Sequence, residues 1–75
     1  MEDVPHQRKL RVIRAHLNCS QQEFAKRVGI SFATVRNWEQ DSRGSPTPAA
    51  MALIDIIYAN PDMALKMLDQ TRNIE

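Results

Sequence analysis

The chain has 75 residues, of which 43% are hydrophobic and 25% charged, with one cysteine and a net charge of +1. This length suits one small domain, and the composition is that of a globular chain rather than a disordered one. A single cysteine excludes an internal disulfide, and the sequence has no signal peptide or membrane-length apolar run, so we expect a cytoplasmic protein with no membrane association.

The charges are distributed unevenly along the chain. Residues 4–46 carry eight Lys or Arg against three acidic residues, a balance of +5, whereas residues 47–75 have a balance of −2. A local positive surface favours nucleic-acid binding, because counterions are released where phosphates are contacted. An ordinary solvated helix surface is the alternative interpretation.

The first predicted helix spans about residues 6–17. Its apolar residues Leu10, Ile13 and Leu17 recur at i, i+3 and i+7. The helix also carries the basic residues Arg8, Lys9, Arg11 and Arg14. Residues 1–5 are acidic and interrupted by proline, so we expect them to form a flexible arm.

Two short helices are predicted over residues 20–40, which read SQQEFAKRVGISFATVRNWEQ. Ser20 and Glu23 have the spacing of a capping box at a helix start, and Gly29 stands where a left-handed residue closes a helix. Ser31 is a second N-cap, only three residues after the helix that starts at Ser20 ends at about Val28. Two apolar-faced helices joined by so short a turn must cross steeply, with the small Ala25 at their closest approach. The pattern is a helix-turn-helix.

Two more helices follow a turn-rich loop at residues 41–46. Thr47 and Pro48 predict the start of a fourth helix that runs to Ala59 and, being broadly apolar, should be largely buried. Asn60-Pro61-Asp62 starts a fifth helix with an apolar cluster at residues 63–68, followed by a polar tail from Thr71 in which residues 72–75 are flexible. We predict one all-α domain over residues 1–75.

The helix-turn-helix resembles the Cro and lambda-repressor type of DNA-binding domain, which implies a five-helix fold. The resemblance is carried by a core pattern of Phe24, Ala25, Val28, Gly29, Ile30, Val35 and Trp38. Trp38 is therefore expected in the core and not as a base-stacking platform. The resemblance also implies an ion pair between Arg14 and Glu39, and an exposed pair of this kind contributes little to stability.

The resemblance implies which residues face DNA. Members of this family place the N-terminal part of the second helix of the motif, the recognition helix, in the major groove. The base-contact residues are then Ser31, Phe32, Ala33, Arg36 and Asn37. Asn37 can pair with adenine and Arg36 with guanine, whereas Phe32 and Ala33 can touch only a thymine methyl or a sugar. The phosphate-contact candidates are Gln21, Gln22, Lys26 and Arg43.

The sequence gives little support for catalysis or for cofactor binding. His16 and Cys19 are three residues apart, but two ligands do not make a metal site, and Cys19 is better explained as a small apolar filler. No phosphate-binding glycine loop and no nucleophile with a partner base is present. We expect neither an enzyme nor a metal or cofactor site.

A narrower resemblance concerns the kind of regulator. The segment Asn37-Trp38-Glu39-Gln40, the proline-bearing loop and the last two helices resemble small HigA-type antitoxins, which repress their own operon and bind a RelE-like (HigB-like) ribonuclease toxin. A stand-alone phage or mobile-element repressor is the alternative, and a protein-binding inhibitor without DNA binding is a third. One recognition helix covers about half of a typical operator, so we expect a homodimer, with an interface on helices four and five.

Overall fold

A computed structural model describes residues 4–40 and 46–72, with the side chain of the last of these left undescribed. Within these residues the structure is entirely helical. Its five helices are α1 (His6–Leu17), α2 (Gln21–Val28), α3 (Phe32–Gln40), α4 (Pro48–Ala59) and α5 (Pro61–Arg72). The predicted all-α, five-helix fold is confirmed.

Side-chain caps define where most of these helices begin. At α2 the predicted capping box is present: Glu23 N donates to Ser20 Oγ (3.0 Å) and Ser20 N donates to Glu23 Oε1 (2.8 Å). Thr47 caps α4 by accepting from Ala50 N (3.2 Å), and Asn60 caps α5 by accepting from Met63 N (3.2 Å). These bonds satisfy N–H groups that have no partner within their helix.

Left-handed residues end the first two helices. Asn18 closes α1 at φ 54°, and Gly29 closes α2 at φ 94°. Only glycine adopts such a φ without steric cost from a side chain, and asparagine is one of the few residues that tolerates it. The chain can therefore turn sharply into α2 and then into α3.

The core is formed where all five helices meet. Its buried side chains are Leu10, Ile13, Phe24, Ala25, Val35, Ile54, Ile57 and Leu65. Trp38 was predicted to belong to this set, but it is only half-buried and packs against the rim of the core. The buried positions of α3 are Val35 and Glu39, which lie four residues apart on one face, so Trp38 stands beside the buried stripe.

The prediction that the fourth helix is largely buried is wrong. Ile54 and Ile57 are buried, but Ile56 is 63% exposed and Ala49, Ala52 and Ala59 are also exposed. An apolar stripe on α4 therefore faces outward, because α1 and α5 cover only part of its surface.

Both ends of the described chain are more regular than predicted. Pro5, placed in the expected arm, accepts hydrogen bonds from Arg8 N and Lys9 N (both 3.0 Å) and so begins α1. The fifth helix continues through Thr71 to Arg72, into the predicted polar tail. Residues 1–3 and 73–75, which make up the rest of the arm and tail, lie outside the described residues.

Ion pairs between helices tie the periphery together. Lys9 on α1 bonds Asp55 on α4 and lies 5.5 Å from the centre of the Tyr58 ring. His16 Nε2 lies 2.9 Å from the Asp62 carboxylate, so this histidine joins α1 to α5. These side chains are partly exposed, and such pairs contribute little individually.

Candidate nucleic-acid interface

The turn between α2 and α3 is closed by one carbonyl group. Ala25 O accepts hydrogen bonds from Gly29 N (2.8 Å) and Ile30 N (3.0 Å), and the Ala25 side chain is 3% exposed. A methyl group at this position lets the two helix backbones approach closely. The sequence from Ser20 to Gln40 therefore forms the helix-turn-helix that its caps predicted.

The first turns of α3 present an outward surface. Ser31, Phe32, Ala33 and Arg36 are exposed, whereas Asn37 is half-buried. Ser31 also has a structural role, since its hydroxyl accepts from Thr34 N (3.0 Å) and lies 2.7 Å from Thr34 Oγ1. The structure thus brings four of the five predicted base-contact residues to one exposed helix start, with Asn37 at its edge.

Two residues of this surface contact each other. The Arg36 guanidinium carbon lies 5.5 Å from the centre of the Phe32 ring, within the range of a cation–π interaction. Residues four apart on a helix are neighbours on its surface, which explains the contact. Phe32 remains 38% exposed, so part of its ring is open to solvent.

The start of α2 offers backbone donors to an anion. The capping box uses the N–H groups of Ser20 and Glu23, and the N–H groups of Gln21 and Gln22 have no acceptor within the helix. Hydrogen bonds from the backbone and side chain of Ser20 lower the pKa of Glu23. The Glu23 carboxylate is therefore engaged in the capping box at this terminus, and the N–H groups of Gln21 and Gln22 are the backbone donors of this turn that the capping box does not use.

Glu39 is the charged centre that holds α3 in place. It is 3% exposed, and its carboxylate accepts from Arg14 Nε (2.6 Å) and Arg14 Nη2 (2.9 Å) in a bidentate pair. The Arg14–Glu39 pair expected from the resemblance is therefore present, but it is buried on the Glu39 side, not exposed. The hydrogen bond to Glu39 raises the pKa of Arg14 above its ordinary value.

The side chain of Gln21 also bonds to Glu39. Its side-chain amide donates to Glu39 Oε1 (3.2 Å), so α1, α2 and α3 meet at one carboxylate. An amide group has two donor hydrogens, and this bond uses one of them. The predicted phosphate contact by Gln21 would therefore use its second amide hydrogen or its backbone N–H.

Arg11 is a further exposed basic residue beside the helix-turn-helix, and it was not among the predicted contact residues. Its Nη2 donates to Glu39 O (3.0 Å) near the end of α3, while its side chain is 62% exposed. An open groove of about 440 Å³ lies beside it, lined by Arg14 and Ser20 among others. The i, i+3 spacing of Arg11 and Arg14 was the available signal, because it places both guanidinium groups on one side of α1.

Two of the remaining predicted phosphate contacts lie on the motif. Gln22 and Lys26 are exposed on α2. Arg27 is half-buried, and its Nη2 lies 3.7 Å from Oδ2 of Asp69 on α5, so its charge is paired with a carboxylate. Arg43 lies outside the described residues.

The described part of the chain has neither a metal-binding cluster nor a membrane-spanning helix. Residues 4–40 and 46–72 contain no group of three or more His, Cys, Asp or Glu side chains placed to hold a metal. Burial raises the pKa of the Cys19 thiol, which is the opposite of what a thiolate ligand or nucleophile needs. None of the described helices is both long and apolar enough to cross a membrane.

Comparisons with known proteins agree with this geometry. A family model described as helix-turn-helix matches residues 10–58, which is more than half of the chain and includes most of α1, all of α2 and α3, and most of α4. Curated proteins and solved structures gave no significant match. The chain therefore belongs to the helix-turn-helix family, and it is a DNA-binding domain of the kind found in transcription regulators.

Proposed function

We propose that this protein is a repressor that binds a specific duplex operator as a homodimer. The observation that carries the proposal is the exposed start of α3, where Phe32, Ala33 and Arg36 are open to solvent and which follows α2 after a three-residue turn. In this docking geometry the start of α3 enters the major groove, and the N–H groups at the start of α2 meet the phosphates. We assign base contacts to the predicted set on α3 and phosphate contacts to Gln22, Lys26 and the backbone of Gln21.

A binding titration at two salt concentrations tests this proposal. The probes are a duplex from the region upstream of the gene and a random duplex of the same length, each followed by fluorescence anisotropy. We expect preference for the upstream duplex and affinity that falls steeply with salt, because phosphate contacts release counterions. Equal and negligible affinity for both duplexes at low salt would leave the protein-binding inhibitor as the better account.

Matched variants separate base contacts from phosphate contacts. Arg36→Ala should reduce the preference for operator over random DNA by about 1 to 3 kcal/mol, and Lys26→Ala should weaken binding to both alike. Lys66→Gln removes one positive charge from an exposed position on α5 and serves as the control. An unchanged ratio of affinities in Arg36→Ala would refute the assignment of the recognition surface.

We further propose that the repressor is the antitoxin of a type II toxin–antitoxin pair. The supporting observation is that Met63 and Met67 on α5 are 51% and 58% exposed, outside the helix-turn-helix. Exposed methionines adapt readily to a partner surface. A RelE-like toxin bound there would leave α3 free for operator DNA, as autoregulation requires.

Co-expression with the adjacent open reading frame tests the antitoxin role. We expect the neighbour to arrest growth when expressed alone, and to be neutralised by and co-purify with this chain. Met63→Ser combined with Met67→Ser should weaken the complex, whereas Arg36→Ala should leave it intact. A neighbour that is harmless and does not co-purify would favour a stand-alone repressor of the phage or mobile-element type.

A further inference from the structure

The contact between Phe32 and Arg36 differs from the ion pairs that other basic side chains make. Lys9, Arg11, Arg14 and Arg27 each have a carboxylate partner. Within the described residues Arg36 has no such partner, and its guanidinium carbon lies 5.5 Å from the centre of the Phe32 ring. Among these residues the aromatic ring is thus the group that positions the guanidinium, and no carboxylate occupies its N–H donors.

This contact has consequences for how guanine would be recognised. A guanidinium group pairs with guanine O6 and N7 through two parallel N–H donors, so the plane of the group must be fixed relative to the base. Contact with an aromatic ring restricts the orientations of the guanidinium group and reduces the freedom lost on binding. Phe32 is then a positioning residue for Arg36, and its ring can also contact DNA directly.

The spacing of the two residues sets which base pairs they reach. Positions four apart on a helix are separated by about 6 Å along its axis, and the guanidinium folds back over the ring. Successive bases of one strand are about 3.4 Å apart, so a ring whose centre is 5.5 Å from the guanidinium carbon is close enough to contact a base pair next to the one that Arg36 would contact. The feature of the major groove that an aromatic ring contacts favourably is the C5-methyl group of thymine.

We propose that Phe32 and Arg36 act as one recognition unit for a guanine with a thymine in the adjacent base pair. The inference rests on the proposed DNA-binding function and names the sequence feature that the site would select. Its distinguishing claim is coupling: Phe32 contributes to the preference for guanine through Arg36, in addition to its own contact with the thymine methyl.

The test begins with selection of bound sequences from a pool of random duplex DNA by the full chain. We expect enriched sequences to share a guanine beside a thymine. Replacing each adjacent thymine of the selected duplex by uracil removes only the methyl group. At one of these positions the replacement should weaken binding by about fourfold, and Phe32→Ala should abolish that effect.

A double-mutant cycle then tests the coupling. Arg36→Lys keeps the charge and should reduce discrimination against the other bases at the guanine position by about fivefold or more. Phe32→Ala should reduce the same discrimination by about two- to fivefold, and the double variant should lose no more than Arg36→Lys alone. Phe32→Tyr keeps an aromatic ring and should retain the discrimination, and thermal unfolding establishes that each variant is folded.

The outcomes separate this inference from the proposed function. Enrichment of a specific sequence whose guanine preference is unchanged in Phe32→Ala would overturn the recognition unit while leaving sequence-specific binding in place. The absence of any enriched sequence with the wild-type chain would overturn the proposed DNA-binding function and this inference together.

Discussion

At the scale of single residues, the most consequential side chain is Glu39. Its carboxylate is 3% exposed and joins three helices, through two bonds from Arg14 and one from Gln21. Taking a carboxylate out of water is costly, so its environment must supply charged and hydrogen-bonding partners. The same contacts set the position of α3 relative to α2, which determines what the recognition helix presents.

Replacing Arg14 should lower the free energy of unfolding more than replacing Glu39. Arg14→Met leaves the buried carboxylate with one hydrogen bond from Gln21 and with the largely exposed Arg11, whose Nε lies 4.0 Å away, and should lower the free energy of unfolding by about 3 kcal/mol or more. Glu39→Gln keeps an oxygen acceptor, and the Arg14 side chain, which is 23% exposed, can turn to water. We expect that variant to lose only about 1 to 3 kcal/mol.

Urea denaturation of the two variants and the wild type measures this asymmetry. Arg8→Met, at an exposed position on the same helix, controls for replacing arginine by methionine. If Arg14→Met were as stable as the wild type, Glu39 would not depend on this pair.

At the scale of helices, the caps determine the boundaries of the helix-turn-helix. Ser20 and Glu23 satisfy each other's backbone donors at the start of α2, and Ser31 does the same for Thr34 at the start of α3. A cap of this kind contributes about 1 kcal/mol. For helices of 8 and 9 residues, which are too short to be stable alone, such contributions matter.

The capping box should make stability depend on pH. The pKa of Glu23 is lowered from its ordinary value of 4.5, mainly by the hydrogen bond from Ser20 N. Its contribution is therefore fully present above that value and is lost as the pH falls through the lowered pKa. The thermal midpoint of the wild type should exceed that of Glu23→Gln near neutral pH, and the difference should shrink in acid.

Thermal unfolding across the acidic range checks this expectation. Asp69→Asn, which removes an exposed carboxylate from the end region of α5, is the control for a general loss of negative charge. A difference between wild type and Glu23→Gln that stays constant with pH would contradict the assignment to Glu23 ionisation.

At the scale of the whole molecule, charge and apolar surface are unevenly distributed. Most of the described basic residues lie on α1, α2 and α3, whereas the three most exposed large apolar residues among those described, Ile56, Met63 and Met67, lie on the last two helices. A small protein rarely leaves such residues open unless a partner covers them. This distribution allows an assembly in which copies of the chain meet through α4 while α3 remains available.

The proposed homodimer should therefore depend on Ile56. Ile56→Glu places a charge on a side chain that is 63% exposed, so it should not disturb the core but should shift the protein from dimer to monomer. Sedimentation velocity over a range of concentrations measures the shift, and operator affinity should fall with it. Val12→Glu, at an exposed apolar position on α1, is the matched control. A wild-type chain that is monomeric throughout would refute the interface.

The sequence alone determined the local structure of this protein. The helix starts at Ser20, Thr47 and Asn60 and the closure at Gly29 follow from hydrogen bonds and backbone angles within a few residues, which is why they were predictable. The helix-turn-helix and the family followed from the same short-range pattern.

Only the tertiary structure decided which faces are covered. Apolar periodicity could not show that Ile56 would be exposed and Trp38 only half-buried, because both depend on where other helices lie. Nor could it show that Gln21 and Arg11 converge with Arg14 on a buried Glu39, since these residues come from three different helices. Burial and ion pairing depend on how the helices pack. The sequence therefore gives candidate buried and paired residues, and only the fold shows which of them are buried or paired.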